Sequence, residues 1–130
     1  MKLWDKGTPI DDVMESFTVG NDREIDVRLA RWDVVGSIAH AEMLGHVGLI
    51  TNEERLALTN ELGMLLESID ANGFVIDDDV EDVHSQVEKI LTQRLGDTGK
   101  KIHTGRSRND QVLVDLKLFL RHELRTLRAA

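Results

Sequence analysis

Residues 109–130 read NDQVLVDLKLFLRHELRTLRAA, and this stretch decides the fold class. It contains no glycine or proline. Its leucines recur at spacings of three, four, four and three residues, as Leu113, Leu116, Leu120, Leu124 and Leu127. Val112 and Phe119 widen the same apolar stripe. Such a near-heptad stripe is typical of a helix that packs in a bundle, so we expect an all-α protein.

The end of this segment differs from an ordinary helix terminus. No glycine, asparagine or proline stops it before the last residue, Ala130. One apolar stripe of this length needs partner helices to cover it. We therefore expect that the chain has been cut inside a longer helix. A natural C-terminal helix that frays is the alternative.

Four further helices are predicted upstream, at about residues 8–20, 31–46, 51–72 and 77–96. Thr8 and Pro9 are favourable residues for a helix start, and glycines close the other segments. Thr51 and Glu54 have the spacing of a capping box. The second helix carries an apolar row at helical spacing, formed by Trp32, Val35, Ala39 and Met43. Residues 96–101 are predicted to form a loop.

Net charge, cysteine content and the length of apolar runs restrict the classes of partner. The net charge is −8, so an acidic surface disfavours nucleic acid as a partner. There is no cysteine, which excludes disulfides and thiolate chemistry. The N-terminal residues lack the apolar run of a secretory signal, and no segment approaches the roughly 18 apolar residues of a membrane span. We expect a soluble cytoplasmic protein.

The densest group of polar side chains lies directly before the last helix. Residues 103–111 read HTGRSRNDQ and provide two guanidinium groups, two hydroxyls, an imidazole and amides. Free N–H groups at a helix start favour an anion, and arginine binds carboxylate through paired hydrogen bonds. The segment thus indicates a carboxylate or phosphate site. A polar loop with ordinary capping by Ser107 or Asn109 is the alternative.

Other candidates give weaker signals. His84 lies close to the apolar side of its helix, where it is either a packing residue or a hydrogen-bonding group that faces a cleft. The acidic run of residues 77–82 lacks the glycine and the closing glutamate of a calcium loop. Acidic residues at a helix start are expected from the helix dipole alone. We therefore predict no metal site. Residues 96–101 also lack the spacing of a phosphate-binding P-loop.

Four ordered stretches resemble a known family. Residues 99–112, GKKIHTGRSRNDQV, resemble a signature block of the argininosuccinate lyases, which belong to the fumarase/aspartase superfamily. Residues 2–4, 33–44 and 81–84 resemble that family's opening, its early helix and its acidic-histidine segment. Two departures stand outside the signature block. Asp5-Lys6-Gly7 replaces the usual continuation after Trp4, and no serine follows Thr18 where many members bind substrate.

The resemblance implies an architecture and a reaction. It implies an N-terminal helical domain, residues 1–105, followed at residues 106–130 by the truncated start of the first long helix of a central bundle. Family members are homotetramers that cleave argininosuccinate to arginine and fumarate by elimination, in arginine biosynthesis and without a cofactor. They are C–N lyases, and their reaction needs a base, an acid and anion stabilisation.

The resemblance also implies residue roles. Ser107, Arg108 and Asn109 would contact substrate carboxylates or adjacent groups, and Arg106 and His84 would support the cleft. The family's catalytic acid and base lie in later blocks that this chain does not contain. No catalytic residue is therefore assigned here, and this piece alone is expected to be inactive and to self-associate through its last helix.

Three rival interpretations stay open. Other members of the superfamily, such as adenylosuccinate lyase or fumarase, carry different residues at positions 106–109. A structural, non-catalytic relative, like the lens crystallins of this family, would keep the fold without activity. A free-standing helical interaction domain would require a capped final helix, which the sequence lacks.

Overall fold

The computed structural model describes residues 13, 14, 17 and 20–130, and every regular element within them is helical. The α-helices are α1 (Asp22–Asp26), α2 (Ala30–His46), α3 (Asn52–Asn72), α4 (Val83–Leu95), α5 (Asp97–Lys100) and α6 (Arg108–Ala129). Short 3-10 turns follow α1 and α5, at Val27–Leu29 and Lys101–His103. The all-α prediction is confirmed. The predicted first helix, residues 8–20, lies mostly outside the described residues.

The capping box that starts α3 is confirmed. Thr51 Oγ accepts a hydrogen bond from the Glu54 backbone N–H at 3.1 Å, and the Thr51 N–H donates to Glu54 Oε2 at 2.9 Å. These two bonds satisfy N–H groups that the first helical turn leaves without partners. At the other end, Gly73 adopts a φ of +79°, a conformation that favours glycine, and the helix stops there.

The predicted start of the fourth helix is wrong. The helix α4 begins at Val83, where the side chain of Asp82 accepts a hydrogen bond from the Ser85 N–H at 2.7 Å. Val80 continues the apolar spacing of α4 towards the N-terminus but lies outside the helix, where it is buried in a small cluster with Ala30 and Ile76. Tertiary burial, rather than helical periodicity, explains the apolar character of Val80.

The predicted loop at residues 96–101 is also wrong. These residues form α5 and enter the 3-10 turn at Lys101, which makes an ion pair with Glu54 at the start of α3. Gly99 is buried against the end of α4, so closely that an added Cβ would collide with the Leu91 carbonyl. The segment that leads into α6 is therefore fixed against both α3 and α4.

The main core lies between α2, α3 and α4, with Ile102 from the second 3-10 turn. Its buried side chains are Val34, Ala41, Leu44, Ile50, Leu58, Leu62, Leu65, Val87, Leu91 and Ile102. The row predicted for the second helix is not its buried face, because Ala39 and Met43 are exposed. The inner face of α2 instead includes two polar residues, Asp33 and Ser37, both fully buried.

The last helix, α6, turns a polar face towards α2. Its buried residues are Gln111 and Asp115, whereas the whole leucine stripe from Leu113 to Leu127 is exposed. Close approach is possible because Gly36 lies opposite Val114, and an added Cβ there would lie 3.3 Å from Val114 Cγ1. Every residue from 120 to 130 is exposed.

No helix within residues 20–130 is both long and apolar enough to cross a membrane.

Candidate anion-binding site

The start of α6 carries the candidate site, and Ser107 is its N-cap. Ser107 Oγ accepts a hydrogen bond from the Asp110 N–H at 3.2 Å and donates to Asp110 Oδ2 at 2.8 Å. The Ser107 N–H also donates to Asp110 Oδ2 at 3.0 Å, which completes a capping box. Hydrogen bonds from the Ser107 backbone and hydroxyl lower the pKa of Asp110. The capping interpretation of Ser107 is therefore correct, and it leaves the side chain exposed.

Arg106 points back towards α2. Its Nη1 donates to Ser37 Oγ at 3.1 Å, while its buried Nε has no hydrogen-bond partner. Burial lowers the pKa of Arg106, and the nearby carboxyl groups of Asp33 and Asp115 act in the opposite direction. Arg106 thus brings a positive charge to the polar interior between α2 and α6.

Arg108 points towards α4. Its Nη2 donates to Ser85 Oγ at 3.1 Å, its Nη1 donates to Gln111 Oε1 at 3.1 Å, and its Nε lies 3.5 Å from Asp82 Oδ2. A guanidinium has five N–H donors, so these contacts leave one N–H on each terminal nitrogen. The side chain is 23% exposed. Arg108 is held in one orientation but keeps two donors for a further partner.

The other residues of the predicted site are dispersed. Asn109 is exposed on the first turn of α6, and His103 is half-buried in the preceding 3-10 turn. His40 of α2 contacts the segment instead, with Nε2 2.9 Å from the Thr104 carbonyl oxygen. Burial lowers the pKa of His40, and the charges of Arg106 and His103 act in the same direction.

His84 lies beneath the site rather than at its surface. It is 4% exposed, and its Nδ1 is 2.9 Å from Asp33 Oδ1 and 3.4 Å from Asp115 Oδ2. Asp33 Oδ1 also accepts a hydrogen bond from Gln111 Nε2 at 2.6 Å. Residues from α2, α4 and α6 therefore meet in one buried polar network, which we call the acid-histidine cluster: Asp33, His84, Gln111 and Asp115.

The pKa values of the two carboxyl groups in this cluster shift in opposite directions. Burial acts to raise the pKa of Asp33, but hydrogen bonds from His84 and Gln111 and the charge of Arg106 leave it below its usual value. Burial, the charge of Asp33 and a hydrogen bond to Asp33 raise the pKa of Asp115 to about 8. The two shifts are opposite although both groups are buried in the same network.

The cluster borders a groove of about 520 Å³ between α2 and α6. Arg106, Gln111 and Asp115 line its polar end, and apolar residues such as Met43 and Leu118 line the rest. Asp33, His84 and Asp115 also offer ligand atoms within 4.8 Å of one another, close enough to hold a divalent cation. The absence of a metal site, expected from the sequence, stays a prediction.

Sequence reasoning missed most of the acid-histidine cluster. Asp33 and Asp115 had no assigned role, because a charged residue in a helix is usually at the surface. One signal was available in each case. Asp33 is flanked by the apolar residues Trp32 and Val34, and Asp115 follows Gln111 by four residues on the side of α6 away from the leucine stripe.

Comparison with known proteins adds an independent line of information. A family model described as Lyase matches residues 5–130. The chain is 55% identical over 129 residues to an argininosuccinate lyase of Bacteroides thetaiotaomicron, which covers 99% of the chain and 29% of that relative. It is 44% identical over 127 residues to an argininosuccinate lyase of Thermotoga neapolitana, covering 98% of the chain and 32% of the relative. The chain thus spans about 29% of the length of the first of these relatives.

Proposed function

We propose that this chain, which belongs to the lyase family matched over residues 5–130, forms part of an argininosuccinate lyase. The resemblance seen in the signature block agrees with identities of 55 and 56% to argininosuccinate lyases over nearly the whole chain. The proposed reaction is the elimination that splits argininosuccinate into arginine and fumarate, a step of arginine biosynthesis. We call a protein that carries this chain and has the length of these relatives the full-length enzyme.

The geometry of Arg108 carries the proposal for this chain's own share of the reaction. Its guanidinium is fixed by Ser85, Gln111 and Asp82 and keeps one N–H on each terminal nitrogen. Two parallel N–H donors match the two oxygens of a carboxylate. We propose that Arg108 binds a carboxylate of the succinyl part of the substrate, with Asn109 as a neighbouring donor.

Ser107 and Arg106 have subsidiary roles in this proposal. The exposed Ser107 hydroxyl lies at the start of α6, where backbone N–H groups and the helix dipole favour an anion. Arg106 and His84 support the site from within, through Ser37 and Asp33. An elimination of this kind builds negative charge next to a carboxylate, so prearranged donors stabilise its transition state.

The experiment compares Arg108→Ala and Asn109→Ala with wild type in the full-length enzyme. Loss of a hydrogen bond to a charged group costs roughly 1.5–3 kcal/mol, so kcat/KM for argininosuccinate should fall by about tenfold or more. Fumarate formation, followed by its ultraviolet absorbance, is the measurement. Asn60→Ala, an exposed asparagine on α3, is the matched control and should leave kcat/KM unchanged. Wild-type kinetics in both site variants would contradict the proposal.

The 130-residue chain by itself is proposed to be inactive. Anion stabilisation accelerates an elimination only where a base also removes the proton, and the family's acid and base belong to blocks absent from this chain. A lone histidine supplies roughly 10²–10⁴-fold, well below typical enzymatic acceleration. Fumarate release by the purified chain should match the blank. Turnover above the blank would mean that the catalytic groups lie within these residues.

The proposed setting is a cytoplasmic homotetramer, with no nucleic-acid or membrane partner. The net charge of −8 supports the exclusion of nucleic acid. The exposed leucine stripe of α6 supports assembly, because exposed apolar stripes of this length are normally covered in a helix bundle.

A further inference from the structure

We propose that Asp33 and Asp115 hold one proton between them, and that this pair positions Arg108 through Gln111. The part that concerns Arg108 rests on the proposed function, since carboxylate binding by Arg108 belongs to it. The claim that Asp33 and Asp115 share a proton does not rest on the proposed function. Neither the resemblance nor the sequence pattern had given Asp33 or Asp115 a role.

The close approach of two buried carboxyl groups supports a shared proton. Asp33 and Asp115 are 0% and 1% exposed, and one nitrogen atom, His84 Nδ1, lies within 2.9 Å and 3.4 Å of their oxygens. Two negative charges so close in a buried site repel each other strongly, and one carboxyl group then keeps its proton. Each group also has one buried oxygen, Oδ2, to which no other group of the protein donates a hydrogen bond, so a second negative charge would lack a donor at that atom.

Asp115 is the group that keeps the proton. Asp33 Oδ1 accepts hydrogen bonds from both His84 and Gln111, which stabilise its charged form. The groups that face Asp115 are Asp33 on α2, Asp26 at the end of α1, His84 on α4 and Arg106 in the loop before α6. Burial and the carboxyl groups of Asp33 and Asp26 act against ionisation of Asp115, and they outweigh the opposite effect of Arg106. Ionisation of Asp115 is therefore disfavoured.

Gln111 links the charge state of Asp33 to the orientation of Arg108. A carboxylate only accepts hydrogen bonds, so Asp33 fixes the Gln111 side-chain NH₂ towards itself, at 2.6 Å. The Gln111 carbonyl oxygen must then point the opposite way, where it accepts from Arg108 Nη1 at 3.1 Å. If Asp33 were protonated, the amide could reverse and present its NH₂ group to the guanidinium. The charge on Asp33 thus keeps Gln111 in the orientation that holds Arg108.

The first experiment tests the shared proton without any substrate. Asp115→Asn supplies a permanent neutral donor in place of the acid. In the wild type, folded Asp115 retains a proton that the unfolded chain releases above the ordinary pKa near 3.8. This retention lowers the free energy of unfolding, and the loss grows with pH until the folded pKa of about 8 is passed. The apparent melting temperature of wild type should therefore fall, relative to Asp115→Asn, as pH rises from about 5 to about 8.

The matched control is Asp97→Asn in the full-length enzyme. Its side chain is 93% exposed, so the same change of carboxyl to amide should give no such pH-dependent difference. A difference between wild type and Asp115→Asn that stays constant with pH would overturn the proposal. A cation held by the same three groups would also overturn it: Asp115→Asn would then lose a ligand, and EDTA would lower the wild-type melting temperature.

The second experiment tests positioning, with argininosuccinate kinetics in the full-length enzyme. Gln111→Leu should raise KM by about tenfold or more with a smaller effect on kcat, because Arg108 loses its orientation. Asp115→Leu should lose activity in the same way, and Asp115→Asn should restore most of it at neutral pH. A Gln111→Leu enzyme with wild-type KM, or an Asp115→Asn enzyme as impaired as Asp115→Leu, would overturn the positioning role.

The two experiments separate the two claims. A wild-type full-length enzyme that releases no fumarate would refute the proposed function, while the melting experiment would still decide the shared proton. If Asp115→Leu does not fold, as circular dichroism would show, Gln111→Leu and Asp115→Asn still decide the positioning role.

Discussion

At the scale of single residues, the two arginines that flank Ser107 have different surroundings. Arg106 points to α2 and has a buried nitrogen without a hydrogen-bond partner, whereas Arg108 points to α4 and is held at both terminal nitrogens. Arg106 lies just before the N-cap of α6 and Arg108 just after it, so their side chains face different neighbours. A pair of arginines that looks equivalent in the sequence thus divides into one guanidinium directed at the interior and one that stays partly exposed.

Replacement of Arg108 by lysine should not preserve function. Lysine keeps the positive charge but lacks the planar fork that can contact Ser85 and Gln111 while it binds a carboxylate. We expect Arg108→Lys to lower kcat/KM in the full-length enzyme by about tenfold or more, close to the effect of Arg108→Ala. Steady-state kinetics at several salt concentrations is the measurement. A lysine variant with nearly wild-type activity would show that charge alone suffices.

At the scale of helices and turns, the connection from α4 to α6 is stiffened by close backbone contact. Gly99 in α5 lies against the carbonyl of Leu91, and Lys101 pairs with Glu54 at the start of α3. Gly96 joins α4 to α5 with a φ of +60°. The segment that delivers Arg106 and Arg108 is thus anchored at several points, and the proposed anion site needs donors fixed in this way.

Gly99→Ala should destabilise the fold. The added methyl group meets backbone atoms of Leu91 and Thr92, which cannot rotate away as a side chain could. Overpacking of this kind costs about 1–3 kcal/mol. Gly63→Ala is the control, because it lies inside α3 with open space around an added Cβ and should raise stability by about 0.5–1 kcal/mol. Urea unfolding followed by circular dichroism measures both. Equal stabilities would show that α5 moves freely.

Local signals explain which elements could be predicted. The capping boxes at Thr51 and Ser107 act within one helical turn, so the sequence contains all the information that they need. The start of α4 was misplaced because Val80 fits a helical row but is buried by contacts with Ala30, 50 residues earlier. The acid-histidine cluster joins positions 33, 84 and 115, and no local pattern specifies such a meeting.

At the scale of the whole molecule, apolar surface is distributed unevenly. The core between α2, α3 and α4 is closed, whereas the stripe on α6 is exposed from Leu113, at 57%, to Leu127, at 72%. Each exposed leucine forgoes roughly 1.5–3 kcal/mol of burial. The α6 helix therefore presents a face whose side chains are typical of a core but contact solvent.

The 130-residue chain should self-associate through this face. Sedimentation should show a species larger than 14.7 kDa, because pairing two stripes buries leucines that one chain leaves exposed. The double change Leu120→Lys and Leu124→Lys should shift the chain towards monomer. Leu56→Lys, an exposed leucine on α3, should not. A wild-type chain that stays monomeric at high concentration would contradict this use of the stripe.

The polar inner face of α6 has a thermodynamic consequence. A helix attached to its domain through Gln111 and Asp115 removes little hydrocarbon from water when it docks. Its detachment would then carry a small heat-capacity change and a weak dependence on urea, unlike the opening of the core between α2, α3 and α4. Amide hydrogens in the distal, fully exposed part of α6, residues 120–130, would exchange with solvent deuterium through this low-cost opening, while those of α3 stay protected.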